Sequence, residues 1–291
     1  MRITNGILAR GTLSGMQSQM QALDKVRQQA STGIRVARAS DDPVAAAGIM
    51  RSSSGLQALS QYRRNIQAGQ SRLAAEDTNL NELGNALSRA KELGVAQGSD
   101  TASAATRRTV RAEIDQLIDF TKDLANTQHQ GAYLYGGQYA DRAPYTGGTL
   151  DPALPPSGDR RLEVGAGRYV KTNHSAQEIF VDSDAVDSLQ ALSDALGAND
   201  TDAIRTALTR IDGAFDNVQE VVGDLGARQN QLDVTLSNLE SLELNLQTFR
   251  GELSDADLAT AVTELVHRQG TLEAAMMANS RIMNLTLTNY L

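Results

Sequence analysis

The sequence predicts a mainly α protein: an elongated bundle of long helices, the first and last of them paired as a coiled coil, with a small β-rich insert. Three observations predict this class. Residues 204 to 239 carry apolar side chains at alternating spacings of four and three, namely Ile204, Leu208, Ile211, Phe215, Val218, Val222, Leu225, Leu232, Leu236 and Leu239, with Gln229 the only gap. That is a coiled-coil seam sustained over five heptads. The same spacing recurs at both ends of the chain. Aromatic residues make up only 4% of 291 residues, with no Trp, which suits a helical rope better than a large globular core.

The first arm reads Ala9, Leu13, Met16, Met20, Leu23, then Arg27 where an apolar residue is due, then Ala30 and Ile34. Val26 stands beside the break and covers it, and Gly33 marks the exit. In Ser40-Asp41-Asp42-Pro43, Asp42 is a good N-cap and Pro43 a good first helical residue, because the missing proline N–H has no intrahelical partner there. The helix that follows places Leu59, Ile66, Leu73, Leu80 and Leu87 at seven-residue intervals, widened by Leu56, Tyr62 and Leu83. At about 1.5 Å per residue it spans on the order of 75 Å. A polar, small-residue stretch from Gly94 to Ala105 breaks it. A further helix starts near Thr106, carries Val110, Ile114, Leu117, Phe120 and Leu124 on one face, and fades near Gln128.

Composition then changes. Four of the five prolines (Pro144, Pro152, Pro155, Pro156) and five of the seven tyrosines fall between residues 131 and 170, with Gly136-Gly137 and Gly147-Gly148. A β-rich insert is expected over 131–182, with short strands at Tyr133 to Tyr135, Arg161 to Val164, Tyr169 to Thr172 and Ile179 to Val181. Asp184 to Leu196 reads as a short helix. Asn199-Asp200-Thr201 caps a long one from Asp202 to about Gly251, and Ser254 with Asp257 forms a capping box that opens a new helix. That last helix keeps the heptad through Leu258, Val262, Leu265, Gln269, Leu272, Met276, Asn279, Met283, Thr286 and Tyr290. The expected domains are terminal arms (1–42 with 252–291), a helical bundle (43–130 with 183–251) and the insert (131–182).

Each arm has a seam it cannot bury alone, so the two ends are expected to wind around one another. The candidate assembly residues are Leu13, Met16, Met20 and Leu23 in the first arm, and Leu258, Val262, Leu265, Leu272, Met276 and Met283 in the last. The arm surface is unusual: residues 1–34 hold only Arg2, Arg10, Asp24, Lys25 and Arg27 as charges, and residues 274–291 only Arg281. Gln17, Gln19, Gln21, Gln28 and Gln29 dominate instead. Such a surface suits packing by helices of other copies, whereas a monomer in water normally carries more charge. The alternative is an ordinary internal coiled coil with a quiet surface. Met276-Met277 and Met283 fit an adaptable surface for a chaperone groove or a neighbouring subunit, and equally plain seam filling.

The net charge of −8 and pI near 5.0 give no basic stripe, so no nucleic-acid partner is expected, and Arg107-Arg108 reads as a solvated helix face. With no Cys, thiolate catalysis, disulfides and cysteine metal sites are excluded. Residues 1–8 contain no signal-peptide core and no run reaches the ~20 apolar residues of a membrane span. A soluble chain with no membrane partner is expected, leaving the cell, if it does, without a cleaved signal peptide. His129, His174 and His267 lie far apart in no metal-ligand spacing and read as surface or bundle residues. Asp41-Asp42 caps a helix rather than doing acid–base work, and Gly165-Ala166-Gly167 is a turn. Asn173-His174-Ser175 matches a glycosylation acceptor only formally. No catalytic residue, cofactor or metal is expected, and the chain reads as a non-enzyme.

Gln29-Ala30-Ser31-Thr32-Gly33-Ile34-Arg35-Val36 followed by Ser40-Asp41-Asp42-Pro43-Val44-Ala45-Ala46-Ala47 resembles the N-terminal motif of the flagellin superfamily. The Asp41-Asp42-Pro43 form is closer to its hook–filament junction members than to filament flagellins. Tyr133-Leu134-Tyr135-Gly136-Gly137 leading to Ala143-Pro144-Tyr145 is similar to a stretch of those junction members, and Ser280-Arg281-Ile282 through Asn289-Tyr290-Leu291 fits the family's closing helix. The resemblance covers both arms and both helical layers, with residues 146–170 placed by position only. It implies a homo-oligomeric ring joining the hook side to the filament, contacting the other junction protein below and flagellin above. It also implies export unfolded through the flagellar type III apparatus, a cytoplasmic chaperone on the C-terminal arm before export, and an extracellular place in the flagellum afterwards. The rival readings are a filament flagellin, a soluble signalling coiled coil like a chemoreceptor hairpin, and an enzyme hidden in the insert. The Pro/Gly/Tyr-rich middle does not supply the hairpin tip that the signalling reading needs, and the insert has too few convergent polar groups for an active site.

Overall fold

The heptads become helices. The computed structural model describes residues 5–99, 102–137, 139–150 and 158–288. Its helices are α1 (Asn5–Thr32), α2 (Pro43–Gln97), α3 (Ala104–Ala125), α4 (Ala185–Ala198), α5 (Thr201–Ser254) and α6 (Leu258–Thr288). Between α3 and α4 lie three two-stranded antiparallel hairpins, β1 (Gln128–His129) with β2 (Ala132–Tyr133), β3 (Tyr145–Thr146) with β4 (Thr149–Leu150), and β5 (Arg161–Gly165) with β6 (Arg168–Lys171). A π-helical turn, Gln177–Val181, follows them. The strand expected at Ile179 to Val181 is therefore helical, and that at Tyr133 to Tyr135 is cut to the end of β2. The Gly165-Ala166-Gly167 turn closes the β5–β6 hairpin as expected. The chain forms two compact units, Met1–Ala58 with Ser241–Leu291, and Leu59–Glu240.

In the first unit the helix ends are tied by a dense set of polar contacts. At the end of α1, Gly33 takes the left-handed conformation (φ 70°) and its N–H donates to the Gln29 carbonyl at 2.9 Å, the usual glycine stop. Ile34 then bridges to Asp255, the Arg35 N–H donates to the Ser254 carbonyl at 2.7 Å, and the Ala256 N–H to the Gly33 carbonyl at 2.8 Å. The Arg35 guanidinium reaches the Leu253 carbonyl at 2.8 Å and Asp42 at 3.2 Å. It thus satisfies a carbonyl orphaned at the end of α5. Asp42 caps α2, its Oδ1 accepting from the Ala45 N–H at 3.0 Å, while Asp41 accepts from the Arg38 N–H at 3.0 Å and pairs with Lys25 at 2.9 Å. At the next start the cap is Asp257, which accepts from the Ala259 N–H at 3.0 Å and the Thr260 hydroxyl at 2.7 Å. Ser254 is the last residue of α5, with its hydroxyl on Asp255, so the capping box expected from Ser254 is replaced by an Asp257 cap.

In the second unit the α2 heptad is the spine. Ile66, Leu73, Leu80, Leu83 and Leu87 are fully buried with Ile204, Ile211, Val218, Leu225 and Leu232 of α5. On α3 the buried stripe is Ile114, Ile118, Thr121 and Leu124; Phe120, expected on that face, is exposed. Arg107 is buried rather than solvated. It donates to the carbonyls of Gln97 (3.2 Å) and Ser99 (2.9 Å) beyond α2 and to the Asn199 side chain (2.7 Å) at the end of α4, gathering two helix ends on one cation. The insert residues belong to the same core as the helices, through Leu134, Tyr135, Tyr145, Val164, Val170 and Phe180. Phe180 is the centre of it, edge-on to Tyr135 at 5.3 Å and to Tyr145 at 6.4 Å. Burial pushes the Tyr145 hydroxyl up to about 12, with Asp187 adding to the rise.

The motif residues around Gly136 now have physical reasons. Gly136 leaves no room for a side chain, since a Cβ there would lie 2.7 Å from the Tyr139 carbonyl oxygen, and Gly137 is left-handed (φ 59°). Tyr145 is held through its backbone by both ends of the Asn126 amide, at 3.0 and 2.9 Å.

His174 is also buried, its Nδ1 2.6 Å from Glu76 of α2 and its Nε2 3.0 Å from Asp224 of α5, with Arg228 on Asp224 at 2.5 Å. It is a bundle residue, as one of the two sequence readings held. The adjacent Asn173 side chain accepts from the Arg160 N–H and donates to the Gly158 carbonyl, so the formal glycosylation acceptor is enclosed.

Two outcomes follow. Gly136→Ala lowers the unfolding free energy in urea by about 1–3 kcal/mol, the cost of overpacking against backbone that cannot yield. The second concerns acid. Asp42 is held below the ordinary carboxyl value of 3.8 by the Ala45 N–H and then Arg35, Asp41 by Lys25 and then the Arg38 N–H, and Asp257 by the Thr260 hydroxyl and then backbone N–H groups. A carboxyl depressed in the folded state stabilises it above the unfolded value and loses that contribution as pH falls through the lower folded one. Amide-exchange protection of residues 33–46 and 255–261 holds from neutral pH down to 3.8 and declines below it.

Candidate assembly interface on the terminal helices

α1 and α6 run antiparallel. Ile34 meets Asp255 at one end, and the Asn279 amide donates to the Met16 sulfur at 3.5 Å further along, so rising numbers in α1 meet falling numbers in α6. This register brings Leu23 level with Leu272 and Ala30 level with Leu265.

The side chains turned inward form two clean heptads. On α1 the buried or half-buried positions include Thr12, Met16, Gln19, Leu23, Val26 and Ala30, and on α6 Ala261, Leu265, Arg268, Leu272, Ala275 and Asn279. Both series step by four and three. Each shares every second position with the seam read from sequence and is displaced by one residue at the rest. The structure therefore brings Met16, Leu23, Leu265 and Leu272 into the pair. It leaves Leu13, Met20, Leu258, Val262 and Met276 between 42% and 57% exposed. These five stand at the flank of the pair and outside its buried stripe, a correction to the seam read from sequence, which runs through all of them. Met283 lies outside the residues whose side chains are described. Val26 is buried and Arg27 exposed, so Val26 covers the break in the seam.

The displacement has a packing cause. Two helices in contact cover one narrow stripe on each, and the stripes here are wider than that. Placing Thr12, Gln19, Ala261 and Ala275 in the contact lets the helices approach closely and turns the larger Leu13, Met20, Val262 and Met276 to a flank. Ile7, Val266 and Met277 add to the apolar exposure of the arms. Beside the contact, Gly15, Ala275 and Ala278 line an open apolar groove of about 360 Å³ with Thr12, Met16, Gln19 and Asn279.

Electrostatics contribute little to the pairing. Among the described residues no ion pair links α1 to α6; Arg27 pairs with Asp24 and Arg268 with Glu264, each within its own helix. Asp41, Asp42 and Pro43 stand at the start of α2 as capping residues, and Asp41 lines an open cavity of about 260 Å³ with Lys25, Gln28 and Arg38, where its carboxylate is already paired with Lys25. Among the described residues, no group of three or more His, Asp or Glu could hold a metal ion, and no helix is long and apolar enough to cross a membrane.

The chain matches the family model described as the bacterial flagellin N-terminal helical region over residues 3–140, and that of the C-terminal helical region over residues 208–291. It is 27% identical over 304 residues to a flagellin of Bacillus subtilis, covering 96% of each chain. It is 24% identical over 319 residues to flagellar hook-associated protein 3 of Salmonella typhimurium, covering 99% of this chain and 98% of that one. The crystal structure of Bacillus cereus FlgL shares its fold, with a TM-score of 0.60 and 22% identity over 69% of this chain and 99% of that chain. With both helical regions matched and the helices they describe framing the structure, the chain belongs to the bacterial flagellin family of structural flagellar proteins.

Proposed function

We propose that this protein is the hook–filament junction subunit: a ring of copies seated between the hook-side junction protein and the flagellin filament, outside the cell. The observation that carries an assembly role is the terminal helix pair, which covers one stripe of each helix and leaves Leu13, Met20, Leu258, Val262 and Met276 to water. Apolar rows at heptad spacing on a weakly charged surface are what a further helix requires. The groove between Gly15 and Ala275 offers a hole for a knob from such a helix. Before assembly the same surface needs cover, and the exposed Met276-Met277 pair suits the adaptable groove of an export chaperone in the cytoplasm, ahead of unfolded passage through the type III apparatus.

The junction position, as against the filament, is supported by Asp41-Asp42-Pro43 and by the Tyr133 to Tyr145 stretch, each of which has a defined structural task here. The second reading, a filament flagellin, is favoured by the identity to the Bacillus subtilis flagellin. Gold-labelled antibody separates them by electron microscopy: label confined to the hook end of each filament supports the junction, and label along the filament overturns it.

The assembly face itself is tested with two variants. Val262→Glu leaves helix content and arm protection of the isolated protein unchanged, because Val262 is already half-exposed, yet abolishes incorporation into flagella. Leu272→Asp abolishes incorporation too, but also loosens α1 from α6, since it buries a charge within the pair. The body between residues 59 and 240 stays folded in both. A strain that swims on the Val262→Glu protein would refute the exposed face as an assembly surface.

A further inference from the structure

A small basic pocket lies in the second unit. It is a cavity of about 110 Å³, lined by Ala68 and Arg72 of α2, His129 and Gln130 at the first hairpin turn, and Arg160 and Thr172 where β5 and β6 meet the chain. Organic ligands of drug size occupy roughly 300–1,000 Å³, so the space suits a small ion or one terminal group.

The polar lining combines a buried cation, Arg72, with an exposed one, Arg160, at its mouth. Arg72 is only 6% exposed; its Nη2 donates to the carbonyls of Leu134 and Tyr133, and its Nε is buried without a partner. Arg160 makes no ion pair among the described residues, yet its backbone is fixed. Its N–H donates to the Asn173 side chain at 2.6 Å, and its carbonyl accepts from the Thr172 N–H at 2.9 Å and hydroxyl at 3.3 Å. The Nε2 of His129 lies 3.2 Å from the Ser71 hydroxyl, and its other ring nitrogen has no hydrogen-bond partner among the described residues. Gln130 (φ 53°) and Gly131 (φ 79°) form the tight turn that holds His129 there.

Among the nearby carboxylates, Glu76 keeps one buried oxygen, Oε2, without a hydrogen-bond partner and offsets part of the charge at Arg72. Glu76 faces His174, and Asp159 is taken by Arg161 at 3.0 Å and Lys171 at 2.9 Å. Burial, followed by the like charge of Arg160, lowers the affinity of the Arg72 guanidinium for its proton, with Glu76 opposing in part. Two guanidinium groups facing one concavity repel, and an anion between them relieves both the repulsion and the desolvation.

We propose that this pocket binds a tetrahedral oxyanion, phosphate or sulfate, held by Arg160 and Arg72 with His129 as a further donor. The site stands independently of where in the flagellum the protein is placed. In a chain of net charge −8 it is a local reversal of sign.

The test uses the full-length protein and inorganic phosphate. Phosphate raises the unfolding midpoint above that in sodium chloride of equal ionic strength, sulfate does the same, and the ³¹P resonance of phosphate broadens with protein present. Arg160→Ala weakens phosphate binding about tenfold or more, the loss of one charge-assisted pair, without changing the circular dichroism spectrum. Arg160→Gln, which keeps the side-chain bulk, gives the same loss. Glycerol 2-phosphate distinguishes the source: equal binding assigns the site to a phosphoryl group carried on a larger molecule, and binding of inorganic phosphate alone assigns it to the free ion. Stabilisation no greater than that from chloride, or unchanged affinity in both Arg160 variants, overturns the proposal.

Discussion

A pair of helices can hide only one narrow stripe of each, and α1 and α6 carry more apolar surface than one stripe holds. The structure resolves this by rotation. The positions turned inward mix Leu23, Val26, Leu265 and Leu272 with Thr12, Gln19, Ala261 and Ala275, while Leu13, Met20, Val262 and Met276 stand outside. Burying a Leu, Val or Met side chain is worth about 1.5–3 kcal/mol, so the outward residues hold a reserve of binding free energy that the single chain cannot use. The assembly reading depends on that reserve, and so does the need for the arms to be held firmly where they begin.

The fixing is done by backbone satisfaction at the helix ends. α1 stops at a left-handed glycine, α5 ends beside Arg35, α2 starts on Asp42 and α6 on Asp257, so the chain reverses direction without orphaning its terminal groups. Arg107 serves the same purpose for the ends of α2 and α4 in the second unit. Residues that look like surface charges in the sequence are thus the joints of the structure. In the second unit, His174 between Glu76 and Asp224 links the insert segment to both long helices. A buried polar set of this kind adds little net stability against an apolar core, but it tolerates one arrangement only. We regard it as the feature that fixes where the insert sits, a role that double-mutant cycles between His174 and Glu76 would measure.

The helices were legible because their apolar period is long and regular. The α2 spine from Leu59 to Leu87 is buried along the spacing the sequence shows, and the α5 seam buries Ile204, Ile211, Val218, Leu225 and Leu232, while Leu208 and Phe215 are half-buried beside Ala207 and Ala214. The terminal arms keep the same period but not the same face. Where an apolar stripe is broad, the pattern alone leaves the line of closest contact open by one residue, and that line depends on how near two backbones can come. Ile179-Phe180-Val181 has the composition of a strand, yet Phe180 must reach between Tyr135 and Tyr145, and a widened helical turn provides the aim. The burial of Arg107 and the partners of His174 are not legible in the sequence for another reason. Their partners lie in other elements, Asn199 and Asp224 among them, and no local spacing encodes that.

The glutamines of the first arm fit the same physics. A face meant for later burial cannot be richly charged, because each unpaired charge would have to be desolvated on assembly at a cost that packing could not offset. Nor can it be wholly apolar, since free subunits would then associate before reaching their place. Gln17, Gln21 and Gln28 are exposed beside Leu13 and Met20, and each offers hydrogen bonds to water in the free chain and to neighbouring polar groups in a packed one. Their amides carry no charge to strip. An amide-rich, charge-poor helix with a surplus apolar flank is therefore a compromise between staying dissolved as a subunit and packing as part of a wall.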